Sequence, residues 1–186
     1  MTSDPERLFK DRLLHSILLD HPDLSPRLLA ATIRIPRGPF FPGESPEQLF
    51  SSFHPKGWGG RVAPSVLETL LILTDTEIRP GDRIGIFRLT DPYFLLLLLE
   101  LTHRIFLVED DPEILPEIRN SVMELGYPYI PVLPSFSELS SLSPPILSIL
   151  HVKSEEDRPY REKIAKMAPE YFKVWKLGSQ LEKMSR

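Results

Sequence analysis

The stretch Pro80–Glu109, PGDRIGIFRLTDPYFLLLLLELTHRIFLVE, constrains the fold more than any other part of the chain. It holds an apolar strand over Arg83–Phe87, a very apolar helix over Tyr93–Leu101 and a second strand over Arg104–Val108 that ends on an acid, Glu109. Strand, helix and strand in that order predict a βαβ unit of a mainly parallel sheet. In a dinucleotide or nucleoside site such an acid takes the ribose hydroxyls, and glycines in the first turn let the backbone approach the ligand. Here the turn reads Arg88-Leu89-Thr90-Asp91-Pro92, with no glycine. The scaffold of a nucleotide-type site is legible, and its contact surface is rewritten.

Prolines punctuate the rest of the chain. Asp4-Pro5 starts a helix over Glu6–Leu19 with Leu8, Leu13, Leu14, Ile17 and Leu18 along one face. Ser25 as N-cap and Pro26 as first residue open a second helix over Arg27–Thr32. A long Pro/Gly-rich loop follows, with one short helical turn at Ser45-Pro46-Glu47. Ala63-Pro64-Ser65 then leads into a helix over Val66–Leu73. Beyond the βαβ unit come a helix over Glu113–Leu125 stopped by Gly126, a third strand over Tyr129–Leu133 and a short helix around Phe136–Leu142. A fourth strand over Ile146–Val152, a helix over Tyr160–Met167 and a fifth strand over Tyr171–Leu177 complete the reading. The expectation is a single domain over 1–186: a helical N-terminal region and Pro/Gly-rich loop over 1–78, and a Rossmann-like α/β core over 79–186 with a five-stranded, mainly parallel sheet and helices on both faces.

The 186 residues suit one domain. A net charge of −4 argues against a nucleic-acid partner, which calls for a basic stripe. No cysteine is present, which excludes disulfides, thiolate catalysis and Cys-type zinc sites. The five histidines have no ligand spacing, so no metal is expected. The longest apolar run, Tyr93–Leu99, falls far short of the roughly 20 residues that span a bilayer. With a charged N-terminus lacking a signal-peptide core, the expectation is a cytoplasmic protein with no membrane partner.

Several segments, in order, resemble the protein-L-isoaspartate O-methyltransferase family. They are Ile35-Pro36-Arg37-Gly38-Pro39-Phe40-Phe41-Pro42, like the family's Val-Pro-Arg-Glu-x-Phe-Val-Pro; Gly57-Trp58-Gly59-Gly60-Arg61-Val62-Ala63-Pro64; Pro80-Gly81-Asp82-Arg83; the Leu-rich helix; Val108-Glu109; and Leu125-Gly126-Tyr127. The resemblance spans about Leu28–Val132 and implies a class I methyltransferase fold using S-adenosylmethionine, with Glu109 on the ribose. The departures sit where the chemistry would be. The family ends its first strand in hydrophobic-Glu-hydrophobic-Gly-x-Gly-x-Gly, whereas this chain has Ile86 at the acid and Arg88, Thr90 and Pro92 at the glycines. The family's Ser/Thr pair by the substrate becomes Arg61 and Ala63, and the Gly-Asp-Gly after strand three has no counterpart in Leu133-Pro134-Ser135-Phe136. The family's final antiparallel strand pair is also missing from this reading, leaving an open edge on strand five for the tail Ser179–Arg186, a second copy or another protein to cover.

These departures point to a degenerate relative with no catalytic residues and no cofactor, acting in binding or assembly through the strand-five edge, with a protein partner or a second copy. Trp58 and Arg61 in the loop, and Tyr171, Lys173 and Trp175 on strand five, are the candidate contacts. Two alternatives stand beside it: an active S-adenosylmethionine-dependent methyltransferase with a divergent pocket built on Glu109, and a pseudoenzyme binding another small ligand. The Gly-rich backbone around Trp58, flanked by Lys56 and Arg61, reads first as a flexible loop with Trp58 packed over the sheet; it could also form an anion-binding concavity, although its spacing is not that of a P-loop.

Overall fold

The structure, a computed structural model, describes residues 5–135 and 138 and the strands at 147–152, 172–176 and 182–184. The expected helix over Tyr160–Met167, all of the expected helix at Phe136–Leu142 except Glu138, and Tyr171 lie outside the described residues. The chain divides into two compact units, Met1–Ile78 with Thr90–Leu101, and Arg79–Leu89 with Thr102–Arg186.

The first unit is helical. It contains α1 (Arg7–Asp20), α2 (Pro26–Arg34), α3 (Pro46–Leu49), α4 (Val66–Asp75) and α5 (Pro92–Leu99), with α2 packed against α1, α4 and α5. Pro26 opens α2 as expected, but the Ser25 side chain makes no capping bond, and the Ser25 backbone N–H reaches Thr74 Oγ1 at 3.4 Å instead. α3 and α4 begin with reciprocal capping boxes, Ser45 with Gln48 and Ser65 with Glu68, which satisfy the first orphan N–H groups of each helix. Asp91 caps α5 through Phe94 N–H at 2.9 Å. Every residue of α5 except Leu96 is buried, which is why its sequence has no polar face. On α1 the expected apolar face is only partly used. Leu14 and Ile17 are buried, whereas Leu8 and Leu18 are exposed and the buried partner one turn before Leu14 is Lys10.

The second unit carries a six-stranded sheet in the order β3-β2-β1-β4-β5-β6. β1 (Arg83–Phe87) and β2 (Arg104–Val108) have the limits read from the sequence, and β1 pairs in parallel with β2 on one side and β4 (Leu147–Val152) on the other. α6 (Leu115–Glu124) ends at Gly126, whose φ of 84° is the left-handed turn expected there. β3 is shorter than expected, Val132–Leu133 only. Pro128 and Pro131 have no N–H to give a ladder, and Ile130 N–H turns back to Tyr127 O.

The edge of strand five is not open as expected. β5 (Phe172–Lys176) is followed by β6 (Glu182–Met184), which pairs with it antiparallel in the register Val174↔Met184, Trp175↔Lys183 and Lys176↔Glu182. Among the described residues the sheet therefore has six strands rather than five, the sixth joined antiparallel to β5. An unpaired row of peptide groups is costly to leave bare, and the tail supplies the partner from within the chain. Lys173 and Trp175 pair in parallel with Ile149 and His151 on the other side. Trp175 is thus flanked by a strand on each side, which removes the backbone edge proposed for a partner at that residue.

Candidate functional site

In the second unit, the carboxyl ends of β1 and β2 are where an open α/β sheet places its ligand. The strand order reverses beside β1, between β1 and β4, which makes this a switch point. Arg88 follows β1 directly. Its backbone has a φ of 50°, a left-handed conformation uncommon for a residue with a Cβ, and its N–H donates to Val108 O at 2.9 Å. Its side chain turns across the strand ends, with Nε donating to Asp110 Oδ1 at 2.9 Å and the guanidinium 5.2 Å from the Phe87 ring centre. Glu109 lies between these partners in sequence and is only 1% exposed. Its N–H donates to Leu133 O at 2.9 Å, and its carboxylate accepts from Asp111 N–H at 3.0 Å. The acid at the end of strand two therefore sits where the sequence placed it, holding its own turn.

In the first unit, the Pro/Gly-rich loop closes into a tight reversal. Lys56 and Val62 form an antiparallel bridge, Gly57 N–H donates to Arg61 O at 2.7 Å, and Trp58–Gly60 make one 3₁₀ turn. Trp58 is 4% exposed, in keeping with a packed side chain and against the alternative of an interface anchor, while Arg61 is half-buried. Trp58 N–H donates to Thr90 O at 2.8 Å. A Cβ on Gly57 would run into that same carbonyl, so glycine is required for the loop to reach Thr90. The loop's N–H at Trp58 is thereby committed to the chain and is not part of an anion cradle.

The same unit buries a polar cluster that the sequence reading did not single out. Arg37, fully buried, donates from its guanidinium to Leu49 O and Pro64 O, both at 2.5 Å, and lies over the rings of Phe41 and Tyr93 at 5.1 and 5.3 Å. Its Nε has no hydrogen-bond partner. Burial opposes its charge, and the nearby Asp91, Tyr93 and Glu6 favour it. Burial likewise pushes Asp91 upward, against the pull of Arg37 and of the Phe94 N–H, and pushes the Tyr93 phenol up to about 12. Glu6 accepts from the Arg37 and Gly38 N–H groups at 3.0 and 2.5 Å and pairs with Lys10 at 3.2 Å. A Cβ on Gly38 would meet Glu6 Oε1 at 2.7 Å, so the carboxylate of Glu6, just before α1, fills space that a side chain at 38 would take. The sequence signals for this cluster were Arg37 in its Pro-Arg motif and the helix-starting Asp91-Pro92 pair.

His54 Nε2 and Glu68 Oε2 are 2.6 Å apart, but Glu68 also accepts from Ser65 N–H at 2.8 Å as part of the α4 cap. Among the described residues no three His, Cys, Asp or Glu side chains are grouped to hold a metal. No helix among the described residues is long and apolar enough to cross a membrane. The end of β1 does not match the glycine turn that the resemblance implies for S-adenosylmethionine, since Arg88 stands there with its guanidinium paired to Asp110.

No family model and no curated protein matches the chain. Solved structures do. The chain is similar to a protein-L-isoaspartate O-methyltransferase with a TM-score of 0.67 and 16% identity, over 89% of this chain and 54% of that one. It thus spans about half the length of that protein. Weaker likenesses are the 23S rRNA methyltransferase ErmE (TM-score 0.45, 15% identity, 57% of this chain and 43% of that one) and a ribosomal protein L11 methylase from Lactobacillus delbrueckii subsp. bulgaricus (TM-score 0.46, 11% identity, 60% and 58%). The first likeness shows an α/β fold of the class I methyltransferase type, and at this identity it shows the fold alone.

Proposed function

We propose that this chain is a methyltransferase-fold protein, of the isoaspartyl-methyltransferase branch, that has lost methyl transfer and works by binding another molecule. Arg88 carries the reading. It keeps the left-handed backbone that suits a glycine at the end of β1, and its side chain pairs with Asp110 beside the acid on which a ribose would depend. A half-buried ion pair and a glycine-free turn favour a closed strand end over one shaped for a cofactor.

Two further observations support it. The Glu109 carboxylate accepts from Asp111 N–H, and the Trp58 N–H donates to Thr90 O, so the acid that the resemblance would set on a ribose and an N–H of the Gly-rich loop both serve the chain itself. The experiment is incubation with S-adenosylmethionine carrying a tritiated methyl group and an isoaspartyl peptide. The expected result is no label transferred above the level without protein. Transfer that disappears in Glu109→Ala overturns the proposal.

A further inference from the structure

The first unit holds two opposite charges out of water beneath its Gly-rich loop. Asp91 is buried, and so is the Arg37 that faces it. The guanidinium nevertheless commits its Nη groups to Leu49 O and Pro64 O, and its Nε has no hydrogen-bond partner. The Asp91 carboxylate accepts from Phe94 N–H at 2.9 Å and from the Thr90 hydroxyl at 3.2 Å. The loop lies directly against this cap. A Cβ on Gly57 would come within 3.0 Å of Asp91 Cβ, and the Thr90 carbonyl holds Trp58 N–H at 2.8 Å. On the loop's outer side Lys56, Gly59 and Gly60 are exposed, so the loop stands between the Asp91 side chain and water.

We infer that Asp91 is a proton-controlled catch for this loop: with the carboxyl neutral the loop stays seated on Thr90, and with it ionised the loop lifts, admits water and uncovers Trp58. A buried carboxylate that does not bond its counter-ion is costly to keep charged. Burial accordingly pushes the Asp91 carboxyl upward, against the pull of Arg37 and of the Phe94 N–H. The seated form is therefore complete at low pH and is lost as pH rises through the folded pKa. The loop is the part that yields, because its outer face is already in water, whereas every residue of α5 but Leu96 is buried. Around Asp91 and Arg37 stand Tyr93 on α5, Glu6 paired to Lys10, and Glu68 of α4 paired to His54, with Lys56 and Arg61 on the loop itself. A change of charge on His54, 2.6 Å from Glu68, is the rival cause of a pH effect on the loop. All these groups belong to the first unit, so the inference does not depend on the strand ends at Arg88 and Glu109.

The test is acrylamide quenching of Trp58 fluorescence in a Trp175→Phe background, since the chain has two tryptophans. Between about pH 5 and about pH 9, a range that contains the raised values of buried carboxyls, the quenching constant should rise about threefold or more. Far-UV circular dichroism should stay constant over the same range, which marks the opening as local. Asp91→Asn and Asp91→Ser keep a cap acceptor and cannot ionise, so both should abolish the rise, while His54→Gln should leave it in place. Thermal melts verify folding, and either Asp91 variant alone suffices for the comparison. A quenching constant that is flat with pH, a rise that survives in an Asp91 variant, a rise lost in His54→Gln, or loss of helix together with the rise would each overturn the inference.

Discussion

Arg88 combines a backbone cost with a side-chain gain, and the two can be separated. Its φ of 50° costs about 1 kcal/mol relative to glycine, whereas its ion pair with Asp110 is about a quarter exposed on each side and contributes at most about 1 kcal/mol. Arg88→Gly should therefore change stability little. Arg88→Ala keeps the strain and loses the pair, and should be about 1 kcal/mol less stable than Arg88→Gly in urea melts. Equal stability of the two variants would show that the left-handed backbone is not retained in solution. Asp91 gives a second residue-scale prediction. Burial raises its folded pKa above the ordinary carboxylate value, so the folded state holds the proton more tightly than the unfolded chain. Its contribution to stability is then fully present below about pH 4 and declines as pH rises through the folded pKa. Measured against Asp91→Asn, the wild-type protein should gain relative stability as pH falls from 7 towards 4. A difference that does not vary with pH would contradict that assignment.

At the scale of elements, the sequence was most legible where a strong local signal met a simple environment. β1 and β2 kept their limits because both are short apolar runs bounded by polar turns, and the helix expected after Ala63-Pro64-Ser65 starts at Val66 with Ser65 as its cap. Legibility failed where partners distant in sequence decide. Lys10 is buried because Glu6 and Ile33 O meet its ammonium group, which no apolar periodicity on α1 could show. The two readings of Trp58, packed side chain or interface anchor, are not separated by its Gly-rich neighbours in sequence; the Thr90 carbonyl that draws its backbone in separates them. β6 was missed because Glu182–Met184 is too short and polar to read as a strand; it exists as a partner for β5. Ending the chain after Leu177 should therefore leave β5 unpaired at Val174–Lys176. Light scattering should then show association that grows with concentration and is absent from the full chain. A truncated chain as monodisperse as the full one would mean that β6 does not guard that edge.

Over the whole molecule, the fold and the site part company. The parallel sheet and its likeness to a protein-L-isoaspartate O-methyltransferase at a TM-score of 0.67 describe a scaffold shared with enzymes. Function resides in the groups placed on such a scaffold, and here those groups are Arg88 paired to Asp110, Glu109 turned to Asp111, and a turn with no glycine. A turn without glycine is visible in the sequence alone, while the Arg88–Asp110 pair and the Glu109–Asp111 bond became visible only in three dimensions. The direct measurement is calorimetric titration of the full chain with S-adenosylhomocysteine, which carries the adenosine and amino-acid groups without the sulfonium charge. The account predicts no heat of binding even at millimolar ligand, equivalent to an affinity weaker than about −4 kcal/mol. Micromolar binding that is lost in Glu109→Ala would contradict it.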